Sequence, residues 1–120
     1  MASIRQEQVA ELVKRNISIV LRDEGSYIYG AQAFVTVTEV QMTSDLGIAR
    51  VYLSVFGTED KQAVILKLED EYARVRQSLG HRLRRHVRRI PEVQFYIDDT
   101  LDEMYRLRDV FGELKDPEKP

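Results

Sequence analysis

Seven arginines, Arg74, Arg76, Arg82, Arg84, Arg85, Arg88 and Arg89, fall together with His81 and His86 between Tyr72 and Pro91, a stretch that contains no acid. The chain as a whole carries eighteen basic against twenty acidic residues, a net charge of −2, so this segment departs sharply from its surroundings. A guanidinium is permanently charged and presents five donors in a planar fork that matches phosphate oxygens. The chemistry on offer is therefore anion binding. Wound at about 100° per residue, Leu83, Val87 and Ile90 share one side of a helix, and Arg82, Arg84, Arg85, Arg88 and Arg89 spread around the other with His81. Like charges so placed repel, and a pair such as Arg84 and Arg88 costs a few tenths of a kcal/mol. A solvated cationic face is the plain alternative, but the missing acids favour a polyanionic partner.

Other chemistries find little support. His81 and His86 are five residues apart, the wrong spacing for two ligands on one helix face, and no carboxylate pattern accompanies them. The six glycines are never clustered, which removes a phosphate-cradling loop, and Ser44 and Ser54 lack a base that sequence can name. Asp98-Asp99 reads as strand exit and helix entry, and Glu69-Asp70-Glu71 as a solvated helix face. With no cysteine there is neither a disulfide framework nor a thiolate metal site, and the composition suits a reducing compartment. A non-enzyme is expected, with no metal and no cofactor.

At 120 residues, 43% hydrophobic and 32% charged, the chain is expected to form one domain over residues 1–115, followed by a flexible tail, 116–120. No run approaches the ~18 apolar residues of a membrane span, and the N-terminal residues mix in charge too early for a secretory signal. The expectation is a cytoplasmic monomer with no membrane partner. From Asp98 to Glu118 eight acids face Arg106, Arg108 and Lys115. The arginine segment is thus followed by an acidic one, and such a dipolar surface orients a partner.

The elements that must position the arginines follow from periodicity. Ser3 and Gln6 form a capping-box pattern, and Val9, Leu12, Val13, Ile17 and Val20 then recur at helical spacing, with Lys14, Arg15 and Arg22 outside the stripe. Gly25 is the expected helix stop, and residues 26–33 a loop. Phe34–Met42 and Ile48–Phe56 alternate and are rich in β-branched residues, predicting two strands around a turn at Thr43-Ser44-Asp45-Leu46-Gly47. Gly57-Thr58 is expected to cap a helix with the stripe Val64, Ile65, Leu68, Tyr72, Val75 and Leu79. Glu59 and Asp60 then sit favourably against the helix dipole. Gly80 should interrupt that helix, giving two helices that meet at an angle at Ser78-Leu79-Gly80, the second running to about Arg89. Pro91 closes it. Glu92–Ile97 alternates as a third strand. Thr100 and Glu103 then open a last helix with Leu101, Met104, Leu107, Phe111 and Leu114 on one side.

The order α-β-β-α-α-β-α, with a helix-glycine-helix junction beside a cationic helix, is the layout of a KH module. In that module a glycine turn lets backbone and helix N-termini approach the phosphates of a single strand. The usual GXXG clamp is missing, so binding should lean on arginine and junction geometry. Three blocks then become recognisable: Val37-Thr38-Glu39-Val40 through Asp45-Leu46; Ala49-Arg50-Val51-Tyr52-Leu53-Ser54; and Arg89-Ile90-Pro91-Glu92-Val93-Gln94-Phe95 ending in Asp98. In this order and spacing, from about Ile4 to Leu114, the chain resembles the ribosome-binding factor A family of small-subunit assembly factors. The resemblance implies an α+β, type II KH-like fold in which an Ala-x-Gly kink replaces the GXXG loop. Ser78-Leu79-Gly80 stands at that place, with serine for alanine.

The resemblance further implies binding to the free 30S subunit and to 16S rRNA near its 5′ terminal helix. The role would be to assist late maturation and rRNA processing, above all at low temperature, beside other assembly factors such as a GTPase. The residues expected to bind RNA are Arg74, Arg76, Ser78, Gly80, Arg82, Arg84, Arg85, Arg88 and Arg89, with Lys14 and Arg15 of the first helix. Charge sorting alone supports polyanion binding. The rival reading is a protein-interaction module whose arginine helix docks an acidic protein. A duplex-DNA reader is disfavoured, because no helix-turn-helix spacing or dimerising heptad is visible.

Overall fold

The computed structural model describes residues 2–99, in the order α1 (Ile4–Tyr29), β1 (Phe34–Met42), β2 (Ile48–Phe56), α2 (Lys61–Asp70), α3 (Tyr72–Leu83) and β3 (Glu92–Ile97). The expected last helix, from Thr100, and the tail 116–120 lie outside the described residues. All three strands span the residues that period-two alternation selects. β2 is central, antiparallel to β1 and parallel to β3. Ala49, Val51, Leu53 and Val55 point from it into the core and are fully buried. The helices cover that face: α1 lies across β1, α2 packs against β2 and β3, and α3 packs on α1. Val9, Val13, Ile17 and Val20 form the buried stripe of α1, as their spacing requires.

Parallel strands cannot be joined by a tight turn. The whole of residues 57–91, including α2, α3 and the arginine segment, is the crossover from β2 to β3. β1 needs a correction of phase to fit. Val37 and Val40 are both buried although three apart, because a β-bulge between Val37 and Glu39 resets the alternation. Without it Glu39 would face the core. The bulged Thr38 donates its hydroxyl to the Asp98 carboxylate just beyond β3, and lies 3.3 Å from the Tyr52 carbonyl between them. Asp98 is thus a tie across the sheet as well as a strand exit.

Four expectations are corrected. The first helix does not stop at Gly25 and residues 26–29 are not loop: α1 continues to Tyr29 and ends at Gly30, whose φ of 92° is open to glycine. Glycine inside a helix costs about 1 kcal/mol, whereas burying Ile28 in the core returns about 1.5–3 kcal/mol, so the extension wins. The second concerns the cap of α2, which is Asp60, accepting from the Ala63 N–H, while the Thr58 hydroxyl, two residues back, accepts from the Asp60 N–H. Third, the helix pair meets at Glu71 (φ −101°, ψ 22°), not at Ser78-Leu79-Gly80, through which α3 runs unbroken. Glu69, Asp70 and Glu71 oppose the dipole at the end of α2 and suit it at the start of α3, which places the break among them. Gly80 serves by its missing side chain: a Cβ there would stand 3.6 Å from Ile90 Cγ1, so Ile90 lies against a flat place on α3.

Finally, the arginine helix ends at Leu83 rather than near Arg89. The Arg84 N–H still bonds the Gly80 carbonyl, but His86 and Val87 both turn back to Leu83, at 2.8 and 3.1 Å, and the chain then leaves helical geometry. Val87 and Ile90 are only half-buried, so further winding would gain little burial while stacking more like charges. Unwound chain also reaches further than helix, and it must reach the β1–β2 turn, where the Glu92 N–H donates to the Gly47 carbonyl at 2.8 Å.

These two roles of glycine separate in experiment. Gly80→Ala places a methyl in ordinary contact and gains helix propensity, so it should raise the free energy of unfolding by about 0.5–1 kcal/mol. Gly57 has φ 86°, and a Cβ would strike the Gln32 carbonyl oxygen. Gly57→Ala should therefore destabilise by more than about 1 kcal/mol. Urea denaturation of both variants checks the opposite signs.

Candidate nucleic-acid interface

The arginines divide by what they touch. Arg74 Nε donates to Glu24 Oε1 of α1 at 2.9 Å, and its guanidinium stands 5.9 Å from the Tyr27 ring centroid. Ser78, one turn on, also faces Glu24 and helps to hold its carboxyl below the usual glutamate range. Arg82 Nε donates to Asn16 Oδ1 at 3.1 Å, a second tie between α3 and α1. Arg76 Nη2 donates to the Ile90 carbonyl at 3.0 Å and fastens the end of the arginine loop, residues 84–91, back onto α3. Arg89 lies over Gly47 in the β1–β2 turn, beside Asp45. These five side chains assemble the surface.

Arg84, Arg85 and Arg88 are exposed and make no ion pair or side-chain hydrogen bond among the described residues. Arg84 and Arg85 line an open depression of about 870 Å³ with Asn16, His81, Arg82 and His86. Every ionisable group around it is basic, so repulsion is unrelieved within this part of the chain. A second hollow of about 350 Å³ lies between the loop and the β1–β2 turn. It is lined by Val9, Leu46 and Val87 with Arg5, Arg88, Arg89 and Asp45. Asp45 holds that turn together, accepting from the Gly47 N–H at 3.0 Å and the Thr43 hydroxyl at 2.7 Å. These bonds, with Arg89 nearby, hold its carboxyl below the usual aspartate range.

The structure gathers most of the expected residues and separates two. Counting about 100° per residue, Lys14 lies about 160° around α1 from Asn16, the residue that meets Arg82. Arg15 lines a different hollow with Glu7 and Glu11 of its own helix. Conversely, Arg5 and Asn16 border the cationic surface and were not selected by sequence. Their signal is a spacing of eleven, three helical turns, which puts them within about 20° of each other on the edge of α1 that α3 meets. Among the described residues no group of three or more His, Asp or Glu is placed to hold a metal ion, and no helix is long and apolar enough to cross a membrane.

Comparison with known proteins adds the lineage. Residues 5–111 match the family described as Ribosome-binding factor A. The protein of that name from Cytophaga hutchinsonii is 35% identical over 119 residues, covering 99% of this chain and 89% of the relative. That from Chlorobium limicola is 39% identical over 114 residues, 94% and 93% of the two chains. The crystal structure of ribosome-binding factor A from Thermus thermophilus superposes with a TM-score of 0.63 at 20% identity, over 77% of this chain and 94% of that one. A homology model of the Thermus thermophilus factor, fitted into a cryo-EM map of a 30S complex, superposes at 0.59 with 22% identity, over 82% and 96%. The fold is the KH-like arrangement of these structures.

Glu24 offers a direct test of the α1–α3 tie. The Ser78 hydroxyl does most to hold the Glu24 carboxyl below the ordinary 4.5; burial opposes it, and the hydrogen bond and charge of Arg74 add to it. A carboxyl whose pKa is depressed by folding adds stability above its unfolded value, and loses it as pH falls through the folded one. Ser78→Ala should move the Glu24 pKa up toward 4.5 in an NMR titration. It should also lower stability at pH 7 by about 1 kcal/mol, the bond being charge-assisted but partly solvent-screened. The difference from the parent protein should shrink in acid, once Glu24 is protonated in both.

Proposed function

Because the chain belongs to the ribosome-binding factor A family, we propose that it is a ribosome assembly factor that binds the free 30S subunit, with 16S rRNA near its 5′ terminal helix as the RNA contacted. The observation that carries this reading is the trio Arg84, Arg85 and Arg88, exposed, adjacent and without an acid partner among the described residues. A guanidinium held in that state has unused donors and unrelieved repulsion, and a phosphate backbone satisfies both. The fitted 30S complex of the Thermus thermophilus factor supports the choice of subunit.

A binding domain contributes only binding free energy, so it acts on RNA by holding one conformer in preference to another. Slow RNA rearrangements leave wrong conformers longer-lived on cooling. Help of this type matters most in the cold, and it bears on maturation and processing of the 16S rRNA. The domain works as a monomer in the cytoplasm, beside other assembly factors such as a GTPase. Arg76 and Arg89 act by shaping the loop, Arg74, Ser78 and Arg82 by seating α3, and Gly80 by seating Ile90. The trio meets the phosphates.

In sedimentation, the protein should travel with 30S particles and not with 70S ribosomes, and RNase should release it. Association that survives nuclease would instead favour an acidic protein partner. Each single charge removal within the trio should flatten the log–log salt dependence of single-strand binding by about 0.7. Arg74→Ala should leave that slope nearly unchanged and lower stability. Changing all three to Glu should leave the fold intact, because none is buried, and abolish rescue of cold growth in cells lacking the protein. A folded triple variant that rescues fully would overturn the reading.

A further inference from the structure

We propose that the hollow between the β1–β2 turn and the arginine loop receives one unstacked base of a single-stranded RNA. The proposal rests on the RNA-binding reading above and adds a base site to a surface otherwise described by phosphate contacts. The hollow, about 350 Å³, is built unlike the open depression beside it. Its floor is apolar, made by Val9, Leu46 and Val87, and its rim is cationic, made by Arg5, Arg88 and Arg89. A phosphate alone has no use for such a floor. A nucleotide presents a flat, weakly hydrated base joined to an anionic backbone, and unstacked bases are recognised by apolar contact and by the planes of arginine side chains.

Leu46 supplies an independent indication. Its φ is 61°, the one positive value at a non-glycine position among the described residues. L-residues enter that region against steric resistance, and glycine or asparagine is the usual occupant. The turn around it is fully bonded: the Leu46 N–H donates to the Thr43 carbonyl, and the Gly47 N–H to Asp45. So a strained backbone carries a branched apolar side chain that lines the hollow, only half of it buried. Strain of this kind marks positions held for contact with something else. Asp45 borders the hollow too, but the turn bonds and Arg89 occupy its carboxylate, leaving Arg5 and Arg88 as the cations free to meet the flanking phosphates.

The full chain is titrated with two fluorescent RNAs of equal charge, a uridine decamer and a fully abasic ribose-phosphate decamer. The parent protein should bind the uridine strand about tenfold more tightly, the scale expected for one well-buried apolar contact. Leu46→Gly removes the side chain while suiting the positive φ, so it should stay folded. It should bind both strands alike, with an unchanged salt slope. Val87→Thr, nearly isosteric, should lower the uridine preference by about fourfold and provides a second reading if Leu46→Gly unfolds. Equal binding of both strands by the parent, with loss of binding in the Arg84, Arg85 and Arg88 triple variant, would overturn the base site while leaving phosphate binding in place. Full preference retained in both folded variants would also overturn it. No binding of either strand by the parent would remove the RNA reading and this proposal together.

Discussion

The cationic surface depends on one buried stripe, Val75, Leu79 and Leu83, which seats α3 against α1. All three side chains are essentially inaccessible. At about 1.5–3 kcal/mol each, their burial contributes roughly 5–9 kcal/mol. The repulsion among neighbouring arginines is a few tenths of a kcal/mol per pair. The stripe therefore decides where the helix stands, and the arginines occupy whatever side it leaves outside. It also decides where the helix ends. Past Leu83 the next apolar residues, Val87 and Ile90, reach only the margin of the core, and the winding stops.

The loop beyond Leu83 is held without being helical. It is gripped at its far end by Arg76 on the Ile90 carbonyl, by burial of Pro91, and by the Glu92 N–H on the β1–β2 turn. The Tyr72 hydroxyl accepts the next N–H, that of Val93, which joins the start of α3 to β3. Several cations are thus consumed in positioning others. A surface ordered before its partner arrives loses less conformational entropy on binding than a free arginine tail would. This is a physical reason for an arginine-rich segment to sit between two packed elements.

How much of this was legible in sequence depends on which force decided each feature. The strands were legible to the residue, because half-buried strands write their burial as alternation. The bulge at Thr38 was not, since Val37, Thr38, Glu39 and Val40 look like continued alternation until the partner register is known. Gly25 misled because local propensity favours a stop while distant burial of Ile28 favours continuation, and only the fold reveals the second term. Gly80 reads in sequence as a helix breaker, but the helix runs through it and what its missing side chain leaves is a flat place for Ile90. The arginine cluster was plain in composition. Its division into fasteners and free charges was not, because Glu24, Asn16 and the Ile90 carbonyl reach it from other elements. Lys14 and Arg15 were grouped with it by charge alone, and the winding of α1 separates them from it.

The topology also sets an order of events for the nascent chain. The β1–β2 hairpin closes through a five-residue turn and can form within microseconds, whereas β3 can join only after the 57–91 crossover has been laid down and docked. The arginines lie near the end of that crossover. During synthesis they emerge before the strand that pins them, as a flexible polycation beside an RNA-rich machine. Among the described residues, the folded site is thus the last part to acquire its shape. Until β3 pairs, the segment holds its charge without its geometry, so attraction to any polyanion precedes the arrangement of the folded surface.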